Sequence, residues 1–347
     1  MDIGNQPAAS RERAQTSFLD NGLLALPGLE ALRRLHAGRS PQPPIHYWSG
    51  RRLVALQDGA ASISMPASGW FCGPKGLLHS GIFAFLLDMT HLYAVVSTLP
   101  AGAGCTTAEL SITALGEPPP SGVGEITAHS RVIYSDERNA LAEGHVVDRE
   151  ERLIAHSTSR YFLFAPRAVA PVRSGEPLLQ TRPSGTGAML QEPVPQIAPV
   201  GAALLQQLSG LEILKAQIKG EIPAAPIDRL TGIKLIEAEE GRVVFSLPVQ
   251  SNLVQELGTV FGGVIALLAK SASGAAVQAV ASAGTRFTAL DLKVNFLRPA
   301  RAEGEELIAT GSITHRGSRL SIANAIITYR GRRIAIATGT TALTPAK

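Results

Sequence analysis

A chain of 347 residues is long enough for one large or two medium domains, and its balance of 45% hydrophobic to 17% charged residues is that of a globular protein with a sizeable core. The net charge of +4 comes without any run of about five or six like charges, so a nucleic-acid partner is not implied, whereas an anionic small molecule suits such a surface. Two cysteines, Cys72 and Cys105, are too few for a disulfide framework or a zinc site and point to a reducing, cytoplasmic setting.

Residues 1–17 contain no apolar core of the signal-peptide kind and predict a mobile tail. From Gly28 onward the chain repeats itself. GLEALRRLHAGRSPQPPIHYWSG at 28–50 matches GLEILKAQIKGEIPAAPIDRLTG at 210–232, an offset of 182 residues that holds without a gap to Gly116. About 24 of 89 aligned positions are identical, and Gly and Pro recur at the same places, so both copies use the same turns. A period this long means a duplicated domain rather than a solenoid. The copies are predicted to be 18–165 and 205–347, and the proline-studded segment 166–204 reads as an extended tether. At about 3 Å per residue it could cross the whole molecule.

Each copy has one plan. A short amphipathic helix (28–37, 206–219) precedes two strands (52–57 with 60–66, 233–238 with 242–249). A long helix that is apolar nearly all round follows (80–98, 262–281). The run 260–281 is long enough for a membrane span, but Lys270, Gln278 and its many small residues fit a buried helix better, and no membrane partner is expected. Four strand-like runs close each copy. In the second they are FTALDLKVNFLR, ELIATGSITHR, RLSIANAIITYR and RRIAIATGTTAL, with a hairpin turning at Arg330–Gly331. An all-round apolar helix must be covered on most sides, and a curved antiparallel sheet wrapped around it does that. The fold class is α+β.

HSGIFAFLLD at 79–88 and FGGVIALLAK at 261–270 have one shape, yet the first ends on Asp88 and the second on Lys270. Together GTVFGGVIALLAKSASGAA, LDLKVNFLRPA and ITHRGSR resemble the hotdog-fold thioesterases of the phenylacetic-acid-degradation type. The resemblance covers both copies, about 28–164 and 205–343. It implies two hotdog domains joined as an intramolecular pseudo-dimer with antiparallel central helices. It also implies hydrolysis of an acyl-CoA thioester at their interface, with CoA as part of the substrate, no separate cofactor and no metal. A dimer of such chains is the expected assembly.

Helix geometry favours a site split between the copies. Asp88 lies about 12 Å along the axis from its own helix start, so one thioester cannot touch both. An acid that works with N–H groups at a helix N-terminus must come from the partner helix. One site would then join Gly262 and Gly263, whose N–H groups face the thioester oxygen, with Gln255 as a side-chain donor to it. Asp88 would be general base or nucleophile, and Thr107 falls at the position where the resemblance implies a Ser or Thr that orients the water. Phe261 replaces the family's preferred His. The twin site would contain His79, Ser80 and Gly81. It has Gly73 in place of Asn or Gln, Lys270 in place of the acid and Ala289 in place of Ser or Thr, and an ammonium cannot accept a proton, so this site reads as hydrolytically dead.

Each assignment has a simpler rival. Asp88 could be a buried acid with a cation partner. His79 could be a helix-start histidine, and Gln255 a surface group. Lys270 could neutralise a nearby acid or hold a ligand carboxylate. His315, Arg316 and Arg319 resemble the family's basic turn and suit CoA phosphates, as does Arg298, but a solvated hairpin tip reads equally well. The first-copy equivalent, YSDER at 134–138, lacks this basic character. Phe83, Phe85, Met89 and Phe261 could line an acyl pocket or simply fill the core. The functional alternatives are an acyl-CoA-binding or regulatory hotdog protein without turnover, and a hotdog hydratase, whose Asp and His motif is not found.

Overall fold

The computed structural model describes residues 21–37, 44–74, 76–116, 124–166, 202–255, 258–301 and 304–345. The tail 1–17 and residues 167–201 of the expected tether lie outside these.

The first copy runs α1 (Asn21–Leu24), α2 (Gly28–His36), α3 (Pro44–Ser49), β1 (Arg52–Gln57), β2 (Ala60–Pro66), α4 (Ser80–Ser97), β3 (Gly104–Ala114), β4 (Glu125–Ser135), β5 (Asn139–Val147) and β6 (Leu153–Phe164). The second runs α5 (Ala202–Gln207), α6 (Gly210–Ile218), α7 (Pro226–Thr231), β7 (Lys234–Glu239), β8 (Arg242–Pro248), α8 (Gly262–Gln278), β9 (Thr285–Ala289), β10 (Asp291–Phe296), β11 (Glu306–Arg316), β12 (Leu320–Tyr329) and β13 (Arg332–Pro345).

All strands join one antiparallel sheet, in the order β1-β2-β4-β5-β6-β3-β10-β13-β12-β11-β8-β7, with β9 beside β13. The copies meet where β3 pairs with β10. There Leu110 opposes Val294 and Ile112 opposes Leu292, all four buried, so an apolar seam fixes the register. The sheet covers α4 on one half and α8 on the other. The helices themselves cross at close range: a Cβ on Gly81 would strike Leu267, and one on Gly263 would strike Phe85. Residue numbers that rise on one helix meet numbers that fall on the other, so the pair is antiparallel. Nearly every residue of α4 is buried, which accounts for its membrane-like composition.

Equivalent backbone contacts repeat in both copies. Gly28 N–H donates to the Leu99 carbonyl, and Gly210 N–H to that of Ala281, each at 2.9 Å. A Cβ on either glycine would land on a carbonyl oxygen, Val96 in one and Gln278 in the other. These partners too are 182 residues apart. The predicted hairpin turns at Arg330 and Gly331, both with positive φ (51° and 69°), the pair of left-handed residues that a tight two-residue turn requires.

Three expectations need correction. The single helix at 206–219 is two, because Ser209 starts α6 with a reciprocal capping box to Glu212. FTALDLKVNFLR is not one strand: it breaks at Leu290 into β9 and β10, and Leu290 N–H bonds instead to the Thr340 carbonyl. PIHYWS and PIDRLT, for which the sequence predicts no element, form the short helices α3 and α7. Each opens on a proline, which is suited to the first helical position, and each is followed by a left-handed glycine, Gly50 or Gly232.

Candidate active site

Asp88 sits two turns into α4 and is 1% exposed, against the N-terminus of α8 from the other copy. A Cβ on Gly262 would come within 2.7 Å of Asp88 Oδ2, and one on Gly263 within 2.7 Å of the Phe85 backbone. The two glycines are therefore what lets this carboxylate reach a helix end. α8 has no side-chain cap, since its N-cap residue is Phe261. That leaves N–H groups of the first turn free for other acceptors. Gly263 N–H serves the Asp88 carboxylate, and Thr107 Oγ1 donates to Asp88 Oδ1 at 3.2 Å. Burial nevertheless dominates and pushes the Asp88 pKa up to about 7, while the Thr107 and Gly263 bonds pull it back.

Thr107 reaches this position through a break in strand register. The β3–β6 pairing shifts between Thr107 and Glu109, leaving Ala108 as an extra residue. Its counterpart at an offset of 182 is Leu290, where β9 and β10 part. Both copies thus carry an irregularity at the same place, beside their respective sites. Tyr161 OH donates to the Asp88 carbonyl at 3.3 Å. Cys105 is also close: burial and then the Asp88 charge push its thiol up to about 12, so it is held as an unreactive thiol.

Gln255 is half-buried, and its Nε2 donates to Thr259 Oγ1 at 2.8 Å. An amide nitrogen carries two hydrogens, so one remains for another acceptor. Phe261 is buried edge-on against Phe85, with centroids 5.3 Å apart, and Phe83 and Met89 are buried in the same cluster. Phe296 flanks Gly262, and Arg298 follows two residues later with its Nη1 on the Arg333 carbonyl at 2.9 Å. Arg316 is elsewhere. It pairs with Glu240 at 2.9 Å and donates to the Val280 carbonyl just beyond the end of α8, about 27 Å along the axis from Gly262. His315 and Arg319 flank the same hairpin, so this basic cluster and Gly262 stand at opposite ends of α8.

The twin arrangement lies at the N-terminus of α4. His79 is the N-cap residue, and its Nδ1 accepts the Gly81 N–H at 3.2 Å. Burial, then the charge of Lys270, lowers the His79 pKa to about 4, so its imidazole is neutral. Lys270 is 7% exposed, and burial lowers its pKa to about 8 against a partial pull from Asp291. Gly73 borders the His79 ring. Ala289, at the place of Thr107, offers no hydroxyl.

Sequence reading did not single out Asp228. It lies in the first turn of α7 and packs across the copy boundary: the helix touches the turn Gly69–Phe71, and Ile227 N–H donates to the Cys72 carbonyl at 3.1 Å. Burial raises the Asp228 pKa to about 7. The proline-led helix start was its only signal.

Comparison with known proteins agrees with this architecture. Residues 257–335 match the family described as Thioesterase superfamily. Acyl-coenzyme A thioesterase 13 of Homo sapiens is 26% identical over 114 residues, 33% of this chain and 77% of that protein. The Mus musculus protein of that name is 28% identical over the same spans. Among solved structures, an acyl-CoA thioesterase II from Mycobacterium marinum superposes with a TM-score of 0.51 at 10% identity, covering 87% of this chain and 99% of the other. The chain thus has an α+β fold of two hotdog domains, and residues 257–335 of its second half are similar to the Thioesterase superfamily.

Proposed function

We propose that the chain hydrolyses acyl-CoA thioesters at one site between its halves. The observation that carries this reading is the placement of the Asp88 carboxylate against the uncapped N-terminus of a helix from the other copy. In this mechanism the thioester oxygen accepts hydrogen bonds from Gly262 N–H and from the second Nε2 hydrogen of Gln255. Asp88, with Thr107 beside it, takes a proton from water as the water oxygen bonds to the carbonyl carbon. The C–S bond then breaks, and the proton leaves with CoA as the thiol. Direct attack by Asp88 on the carbonyl is the variant of this step, with water cleaving the resulting anhydride. The acyl-CoA class is supported by the names of the thioesterase 13 relatives. Arg298 is the phosphate-binding candidate for this site, being the one basic candidate residue next to the strand that flanks Gly262. A cytoplasmic dimer of chains belongs to the same proposal, and light scattering of the purified chain tests the assembly.

The test is thiol release from short, medium, long and aryl acyl-CoAs by wild type and Asp88→Asn in parallel. Turnover of some member by wild type alone supports the reading. Binding of a CoA ester with no turnover by either protein would replace it with an acyl-CoA-binding role.

A further inference from the structure

At the twin site Lys270 is more than nine-tenths buried, and among the described residues its Nζ has neither a hydrogen-bond acceptor nor a carboxylate within 4.0 Å. The nearest negative influence, Asp291, already accepts the Thr340 N–H at 2.8 Å through Oδ1. Lys270 therefore does not sit in a closed ion pair. Two further donors lie at the N-terminus of α4, which packs on α8 at Leu267, one turn before Lys270. His79 uses Nδ1 as an acceptor for Gly81 N–H, which leaves its proton on Nε2. Ser80 N–H, first in α4, has no acceptor among the described residues, and the positive end of the helix dipole lies there. Ammonium, imidazole N–H and backbone N–H thus gather without an acceptor, where isolated charge is costly. His79 and Ser80 are half-buried and keep some contact with solvent.

The working half of the interface shows what completes such a place. There the protein lays its own carboxylate, Asp88, on the α8 N-terminus. Here the residue at that position is a cation, and the carboxylate is missing. We propose that the Lys270–His79–Ser80 site binds the carboxylate of an organic acid and carries out no chemistry on it. A planar carboxylate has one oxygen for the ammonium and one for Ser80 N–H. The inference stands independently of turnover at Asp88.

Calorimetry on the full chain tests it, with octanoate and benzoate as probes. Wild type and Asp88→Asn are expected to bind one acid per chain with similar affinity. Lys270→Met is expected to bind at least about tenfold more weakly, and Lys270→Arg to retain binding. Because only the ammonium form binds, wild-type affinity falls about tenfold per pH unit above about 8, and the Lys270→Arg variant shows no such fall. The charges that act on Lys270 are Asp291 on β10 and His79 at the N-cap of α4, and His79 stays neutral across this window, while Asp88, two turns further along α4, belongs to the other site. The proposal is overturned if no acid binds, if Lys270→Met binds like wild type, if Asp88→Asn abolishes binding, or if inorganic phosphate competes at equal concentration. Should Lys270→Met fail to fold, the contrasting pH profiles of wild type and Lys270→Arg decide alone.

Discussion

Asp88 and Lys270 occupy equivalent positions on two antiparallel helices, 182 residues apart in sequence, and each faces the N-terminus of the other's helix. Burial acts on both in the same sense. It disfavours the charged form, raising the acid to about 7 and lowering the amine to about 8. One interface therefore holds a weak base matched to neutral pH and a cation that is only just charged.

Their opposite charges predict opposite effects on stability. The folded protein holds a proton on Asp88 that the unfolded chain releases between pH 3.8 and about 7, so this group's favourable contribution is lost as pH rises through that window. Asp88→Asn should therefore stabilise the protein most above about pH 7, by on the order of 1–3 kcal/mol, and little near pH 4. Lys270 is the reverse: its unfolded form binds the extra proton between about 8 and 10.5, so Lys270→Met should stabilise most below about pH 8. Denaturant unfolding of the two variants over a pH series checks both slopes.

Activity should follow the same acid. kcat/KM for a thioester is expected to rise with pH through an apparent pKa of about 7, and Asp88→Asn should lower it by roughly 10²–10⁴-fold. Thr107→Ala removes a hydrogen bond that favours the charged carboxylate. Its profile should move to higher pH by about half a unit to one unit, leaving the high-pH plateau lower where water orientation is also lost. A profile unmoved by Thr107→Ala would separate that hydroxyl from Asp88.

Gly262→Ala tests the close approach of helix and acid. The new methyl group would stand 2.7 Å from Asp88 Oδ2 and must displace it. A loss of roughly 10²–10³-fold in kcat is expected, with a smaller change in melting temperature than for Gly263→Ala, whose methyl meets the Phe85 backbone. Thiol-release kinetics and thermal melts on the same preparations measure both.

The duplicated architecture predicts duplicated sensitivity. Gly28→Ala and Gly210→Ala each place a Cβ on a carbonyl oxygen at the end of a central helix. Each should cost about 1–3 kcal/mol, and the double variant should show nearly the sum, because the two contacts share no partner. Equilibrium unfolding of the three variants gives the comparison.

Much of this was legible in the chain itself. Repeated Gly and Pro positions revealed two copies of one fold, because turns with positive φ and close backbone contacts tolerate few other residues. The all-round apolar pattern of 80–98 announced a helix covered on every side. The exchange of Asp88 for Lys270 told the two halves of the interface apart. Local sequence does not carry how elements distant in the chain meet. That Thr107 donates to Asp88 depends on the register break at Ala108; that Arg316 lies at the far end of α8 from Gly262 depends on where the β11–β12 hairpin packs. The pKa of Asp88 and the lack of a partner for Lys270 among the described residues depend on what surrounds them after folding, since desolvation and hydrogen bonding are set by neighbours from both copies. Residue types decided which chemistry was available, and the packing of two antiparallel helices beneath one sheet decided which groups meet.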